Sequence, residues 1–84
     1  MNTIQDGDIL RFKTIEELKA QPQETFCMPS WKDSMIQNVK CLELSGKYTI
    51  AKNVHIATWL GKDIVFIYVP ELCESWCADY FIKL

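Results

Sequence analysis

Four cysteines and one histidine are the side chains of this sequence most suited to binding a metal ion or acting as a nucleophile. Only Cys73 and Cys77 lie close together, whereas Cys27 and Cys41 stand alone beside apolar neighbours. A structural zinc site is usually built from two C-x2-C pairs or close variants. The spacing therefore favours buried thiols that pack as small hydrophobic groups, and it predicts no metal and no other cofactor.

Catalysis by a cysteine or by paired carboxylates is also not indicated. A nucleophilic cysteine needs a partner base, but His55 is the only histidine and lies in the alternating segment NVHIA. No glycine-rich turn close to His55 could form an oxyanion hole. Glu16 and Glu17 are adjacent at the start of a predicted helix, where negative charge is favoured for structural reasons. We therefore expect that the protein is not an enzyme.

Three tryptophans are many for a chain of 84 residues. Trp59 precedes the turn LGKD and, if exposed there, is a candidate anchor for a partner, since tryptophan is enriched among interface hot spots. Trp31 flanks an irregular segment and could form an apolar patch with Phe26 and Met28. Trp76 is predicted to lie in the core.

Size and charge limit the function classes further. A chain of 84 residues predicts one domain, spanning residues 1–84. The formal net charge of −2 and the single arginine, Arg11, argue against direct binding of nucleic acid. No apolar run approaches the ~18 residues that a membrane span needs, and the polar N-terminus does not resemble a secretory signal. We expect a cytoplasmic protein without membrane contact, in which all four cysteines are thiols. A tight turn would allow a disulfide between Cys73 and Cys77, but the reducing compartment opposes it.

Two short helices are predicted in the first half of the chain. Thr14 and Glu17 have the spacing of a capping box, which starts a helix that Pro22 ends. The segment SWKDSMIQNV predicts a further turn of helix with Ser30 as its cap.

Five segments predict short strands: GDILRFK, VKCLEL, KYTIAKNVHI, IVFIYV and SWCADYFIKL. In the third, the alternation places Tyr48, Ile50, Val54 and Ile56 together on the side predicted to face the core. Five short strands joined by tight turns indicate an α+β fold that is mostly β, namely a small antiparallel barrel.

The order of motifs resembles that of small bacteriophage and prophage proteins with a Src-homology-3-like barrel. In that family a helix follows the first strand, as FKTIEEL does here, and an irregular loop, a W-x-x-x-M motif, a GKYTI strand and a tryptophan-bearing final segment come after it. The ending DYFIKL is similar to the close of such a barrel, where a turn containing a tyrosine leads into the last strand. The matching residues are Phe12, Thr14, Glu16, Glu17, Leu18, Trp31, Met35, Gly46, Lys47, Trp76 and Leu84.

The resemblance implies a non-catalytic protein-binding module, namely a phage-encoded inhibitor of a host protein with an anti-defence role such as anti-CRISPR activity. Binding of proline-rich peptides is not implied, because the ALYDY and paired-tryptophan motifs are missing. An acidic rim would suit the basic groove of a nucleic-acid-handling host enzyme. The residues expected to contact the partner are Trp31, Trp59, Phe26, Met28, Glu16, Glu17, Glu24 and Asp33.

The alternative is an oligomeric small-molecule binder, such as a sponge for nucleotide signals. Its pocket would form between the protomers of a homo-oligomer, with one aromatic ring stacked on the base. The basic residues expected to face the phosphates are Lys13, Lys47, Lys52 and Lys62. A catalytic or zinc-dependent module ranks last.

Overall fold

The computed structural model describes residues 3–84, and within that range it contains six strands and two helices. The strands are β1 (Ile9–Phe12), β2 (Tyr48–Ile50), β3 (Lys52–Trp59), β4 (Lys62–Val69), β5 (Glu74–Cys77) and β6 (Phe81–Lys83). The helices are α1 (Ile15–Ala20) and α2 (Lys32–Cys41), and short 3-10 turns occur at Gln23–Thr25, Pro29–Trp31, Pro70–Leu72 and Ala78–Tyr80. The fold is therefore α+β and mostly β.

The strands form two antiparallel sheets of three strands each. The first sheet has the order β2-β1-β6 and the second has the order β3-β4-β5. Only Ala51 separates β2 from β3, so one bent segment of chain enters both sheets. The bend is held because the Ala51 N–H donates to the Asp8 carbonyl and the Ala51 carbonyl accepts from the Gly7 N–H, each at 2.8 Å. Among residues 3–84, no pairing of strands closes the two sheets into a barrel.

Helix α1 begins at the predicted capping box, which is confirmed. The Thr14 hydroxyl accepts the Glu17 N–H at 3.1 Å, and the Glu17 carboxylate accepts the Thr14 N–H at 2.8 Å. Two backbone donors that a helix start leaves unpaired are thereby satisfied. The helix ends at Ala20, two residues before Pro22, and buries Leu18.

Helix α2 corrects the prediction of a strand in the segment VKCLEL. The helix continues through Cys41, because Met35 and Val39, four residues apart, are buried on one helical face. Ser30 is not the cap of this helix. It lies in the preceding 3-10 turn, and Trp31 occupies the cap position without a side-chain hydrogen bond.

The face of β2 that packs on the core is opposite to the predicted one. Thr49 and the following Ala51 are buried, while Tyr48 and Ile50 are exposed. In β3, Ile56 is exposed as well, whereas Val54 packs partly against the core as predicted. The buried Thr49 hydroxyl is satisfied because it donates to the Glu71 carboxylate at 3.1 Å. Alternation of apolar residues along a strand does not reveal which face of the strand is covered. The predicted core face of β2 is therefore wrong.

The core centres on Phe12, whose ring packs against three aromatic side chains. The ring centroids lie 4.6 Å from Phe81, 6.0 Å from Trp76 and 6.3 Å from Tyr80. Trp76 is buried, which confirms its predicted place. No helix among residues 3–84 has the length and apolar character to cross a membrane.

Candidate functional site

Two of the predicted contact residues, Trp31 and Trp59, form a surface pair. Their ring centroids lie 6.2 Å apart, with the ring planes at 60°. Trp59 ends β3 and is 53% exposed, whereas Trp31 precedes α2 and is half-buried. The two rings therefore join the start of α2 to the end of the second sheet.

The turn after Trp59 adds an exposed leucine. Trp59 pairs with Lys62, so Leu60 and Gly61 form a two-residue hairpin turn. Both have positive φ angles, 50° at Leu60 and 78° at Gly61. Such turns favour asparagine, aspartate or glycine, yet Leu60 is 81% exposed at the tip. Trp31, Trp59 and Leu60 together are called the tryptophan surface below.

A hollow of about 230 Å³ lies beside Trp31. Its lining is largely aromatic, with polar groups at Asn38, Ser75 and Glu74. The Asn38 amide donates to the Tyr80 hydroxyl at 3.0 Å, and burial raises the pKa of Tyr80, so the phenol stays neutral. The full set of lining residues is Trp31, Asn38, Phe66, Glu74, Ser75, Trp76, Cys77 and Tyr80.

Trp76 contributes its ring to the lining of this hollow, and its Nε1 is buried. The Nε1 has no hydrogen-bond acceptor among the described residues. The Tyr80 ring stands almost perpendicular to the Trp76 ring, with centroids 4.8 Å apart. Since buried polar atoms are nearly always paired, this unpaired donor is an exception within the core.

Two residues expected in an apolar surface patch are instead part of the core. Phe26 is 2% exposed and Met28 is 7% exposed, so neither can offer a contact surface in this conformation. The irregular segment that carries them packs inward because its apolar side chains cover the open side of the sheets. The prediction that they share a patch with Trp31 is wrong.

The predicted acidic residues divide into one structural and three exposed members. Glu17 accepts both guanidinium nitrogens of Arg11, at 2.8 and 3.0 Å, and the Thr14 N–H. The hydrogen bonds from Arg11, followed by that from Thr14, lower the pKa of Glu17 to about 2. The exposed members are Glu16, Glu24 and Asp33.

The four lysines of the alternative site do not converge within one protomer. Lys13 is half-buried and donates to the Gln21 amide oxygen at 2.9 Å. Lys52 and Lys62 lie at opposite ends of the β3–β4 hairpin, about 20 Å apart at the rise of a strand. Lys47 is exposed in the turn before β2.

Cys27, Cys77 and Asp79 form a cluster that sequence spacing did not predict. One ligand atom from each lies within 4.8 Å of the other two. Burial, followed by the nearby Asp79, raises the pKa of Cys27 to about 11. Burial, followed by the charges of Cys27 and Asp79, raises the pKa of Cys77 to about 12. Cys27 lies some fifty residues from Cys77 and Asp79 in the chain, so no local motif could have revealed the cluster.

The other two cysteines correct the prediction of buried thiols. Cys41 and Cys73 are both exposed. The Cys73 thiol donates to the Pro70 carbonyl at 3.5 Å and stays unpaired with Cys77. His55 is outside the thiol cluster and stacks on Phe66, with ring centroids 6.0 Å apart.

The outer face of the first sheet is a second apolar surface, which the sequence pattern did not predict. Ile9 pairs with Ile50 across β1 and β2, and both are exposed. Leu84 donates its N–H to the Ile9 carbonyl at 3.0 Å and is exposed as well, as is Tyr48. Of these side chains, Tyr48 and Ile50 had been predicted to face the core because they alternate with polar residues.

Comparison of the chain with models of known protein families, with curated proteins and with solved structures finds no match in any of the three. Function is therefore inferred from the surfaces and the cluster described above.

Proposed function

We propose that the chain is a non-catalytic protein-binding module whose contact surface centres on the tryptophan surface. The observation that carries the proposal is Leu60, an 81% exposed leucine at a turn position with φ of 50°. A non-glycine residue in the left-handed region costs of order 1 kcal/mol. An exposed leucine side chain contributes no burial energy in the isolated chain. A partner that covers Leu60 would bury this side chain, and the burial would offset the cost of the backbone conformation.

Trp59 and Trp31 extend this contact. A half-exposed tryptophan beside an exposed leucine has the composition of an interface hot spot, where truncation of a side chain costs about 2 kcal/mol or more. The hollow beside Trp31 holds about 230 Å³, which is below the range of about 300–1,000 Å³ typical of small-molecule pockets. A single side chain of a partner protein fits that volume better than a nucleotide does.

The chemistry of the hollow does not suit a nucleotide bound within one protomer. Among residues 3–84, its lining includes the carboxylate of Glu74 and no lysine or arginine. A nucleotide stacked on the aromatic rings there would bring its phosphates toward a negative group, and Lys52 and Lys62 of one protomer are too far apart to bind one phosphate together. A nucleotide pocket between protomers stays the alternative.

The finer fold assignment is part of the same proposal. The order of elements supports a Src-homology-3-like barrel, since β2 and β3 read as one bent strand shared by both sheets. The 3-10 turn Ala78–Tyr80 leads directly into β6, as the resemblance implies. Barrel closure would then come from side-chain packing between the sheets, because no strand pairing within residues 3–84 provides it.

The phage-encoded inhibitor role follows from the resemblance and stays a prediction. Exposed Asp33 lies two residues after Trp31, and exposed Glu24 lies in the segment before it. These carboxylates would border the tryptophan surface and favour a basic partner, such as a nucleic-acid-handling host enzyme. Complex formation with such a partner would weaken as salt rises.

The test compares two substitutions that relieve the same backbone strain at different places. Leu60→Asn places a residue suited to positive φ in the hairpin turn and removes the apolar contact. Glu43→Asn is the matched control, because Glu43 is also exposed and has a φ of 54°. It lies beyond the far end of α2, about 18 Å from Trp31 at the rise of a helix.

We expect both variants to melt at or above the temperature of the wild type. In quantitative capture from bacterial lysate with a tagged chain, Leu60→Asn should lose a partner that Glu43→Asn retains, by about tenfold or more. Equal capture by the two variants, or no partner that depends on Trp59 when Trp59→Ala is used, would contradict the proposal.

A further inference from the structure

Cys27, Cys77 and Asp79 offer two sulfur atoms and one carboxylate oxygen, all within 4.8 Å of one another. We propose that these three residues bind one thiophilic divalent cation of the zinc class, with water as the fourth ligand. Thiolates select zinc-class ions, whereas magnesium and calcium prefer sites made of oxygen alone. Three protein ligands and one open position are a common arrangement for zinc.

The spacing of the cluster is close to what such an ion needs. Tetrahedral zinc with bonds of about 2.0–2.3 Å places its ligand atoms about 3.3–3.8 Å apart. The separation of at most 4.8 Å therefore calls for a contraction of at most about 1.0–1.5 Å. Cys27 can supply it, because it lies between two 3-10 turns and outside any helix or strand. Cys77 ends β5 and Asp79 lies in the next turn, so the other two ligands stand on fixed elements.

The surroundings of the cluster orient its ligands. One oxygen of Asp79 accepts the Cys27 N–H at 2.7 Å, which holds this carboxylate beside the cysteine. The Cys27 carbonyl accepts from the Lys62 ammonium at 3.3 Å. Hydrogen bonds of this kind to metal-binding residues hold their orientation and strengthen binding.

The charges balance when an ion is present. Two thiolates and one carboxylate carry three negative charges, and a divalent cation leaves one. Half-buried Lys13 lines one hollow together with Asp79, so its positive charge lies near the negative charge that remains. On binding, the two thiol protons pass to the buffer and the thiolates bind the metal.

The experiment uses Co²⁺ as a spectroscopic probe for the site, with Zn²⁺ as competitor, on the whole chain kept reduced with a phosphine. Thiolate bound to Co²⁺ gives a charge-transfer band whose intensity reports the number of sulfur ligands. Cys27→Ser and Cys77→Ser each remove one sulfur from the cluster. Cys41→Ser and Cys73→Ser are matched controls, because these thiols are exposed and outside the cluster.

We expect one Co²⁺ per chain, displaced by Zn²⁺. Each cluster variant should lose about half of the band and bind at least about tenfold more weakly, while both controls match the wild type. Asp79→Asn should weaken binding by a similar factor and keep the band of two sulfurs.

Absence of the band in the wild type would overturn the proposal, and so would a band that either control abolishes. If Cys77→Ser does not fold because that site is buried, Cys27→Ser decides, since Cys27 is partly exposed. A normal band in folded Cys27→Ser would refute the site. The metal test does not depend on a partner protein, so its failure leaves the tryptophan surface unaffected.

Discussion

Lys32 joins α2 to the end of α1, and its replacement tests how much that link stabilises the fold. The Lys32 ammonium donates to the Gln21 carbonyl at 2.7 Å and to the Lys19 carbonyl at 3.0 Å. These carbonyls belong to the end of α1, where backbone acceptors lack helical partners. Lys32 directly follows Trp31, so this link lies next to the tryptophan surface.

Lys32→Met keeps the length of the side chain and removes both hydrogen bonds. The bond to Gln21 is partly buried and the bond to Lys19 is exposed. We assign about 1 kcal/mol to the first and about 0.5 kcal/mol to the second, since water replaces an exposed bond more easily. Loss of both bonds therefore lowers the free energy of unfolding by about 1.5 kcal/mol. This corresponds to a fall in melting temperature of about 6–12 °C for a domain of this size.

Urea unfolding followed by tryptophan fluorescence measures this loss directly. Lys52→Met is the matched control, because Lys52 is exposed on β3 and has no side-chain hydrogen bond among residues 3–84. We expect the control to stay within about 0.5 kcal/mol of the wild type. Equal stability of the two variants would refute the reasoning that Lys32 joins α1 to α2.

Two further predictions concern ionisation. Hydrogen bonds from the Arg11 guanidinium are the main cause that lowers the pKa of Glu17 from 4.5 to about 2. The stability that this carboxylate provides is therefore complete above about pH 4.5 and is lost as the pH falls toward 2. Melting temperatures of the wild type and Glu17→Gln should therefore differ at neutral pH and converge near pH 2, and a constant difference would contradict the assignment. Burial raises the pKa of Cys77 to about 12, so iodoacetamide should alkylate exposed Cys41 well before Cys77 in the metal-free chain. Peptide mass spectrometry measures the two alkylation rates, and equal rates would contradict the burial of Cys77.

Local signals in the sequence were reliable where neighbouring residues decide the structure. The capping box of Thr14 and Glu17 is one case, because both partners lie within a single helical turn. Its hydrogen bonds join residues only three positions apart. The segment SWCADYFIKL, predicted as one strand, is instead divided by the 3-10 turn Ala78–Tyr80 into β5 and β6, and that turn was implied only by the family resemblance.

Signals failed where packing across the chain decides the structure. Val39 is compatible with a strand or with a helix, and its burial beside Met35 settles the choice in favour of the helix. Ile50 is compatible with either face of β2, and the covered face is the one that carries Thr49. The thiol cluster is the extreme case, since Cys27 meets Asp79 only after the segment before α2 has packed on the second sheet.

Both candidate sites lie where the segment between β1 and β2 meets the second sheet and the turn after it. Trp31 of this segment touches Trp59 of β3, and Cys27 of the same segment bonds to Asp79. Cys27 and Trp31 are four residues apart, with Met28 buried between them. An ion held by Cys27 would fix one end of the short stretch that carries Trp31. Ordering a contact residue before binding reduces the entropy lost on association. An occupied metal site would therefore raise the affinity of the tryptophan surface for its partner, although the ion would not contact that partner.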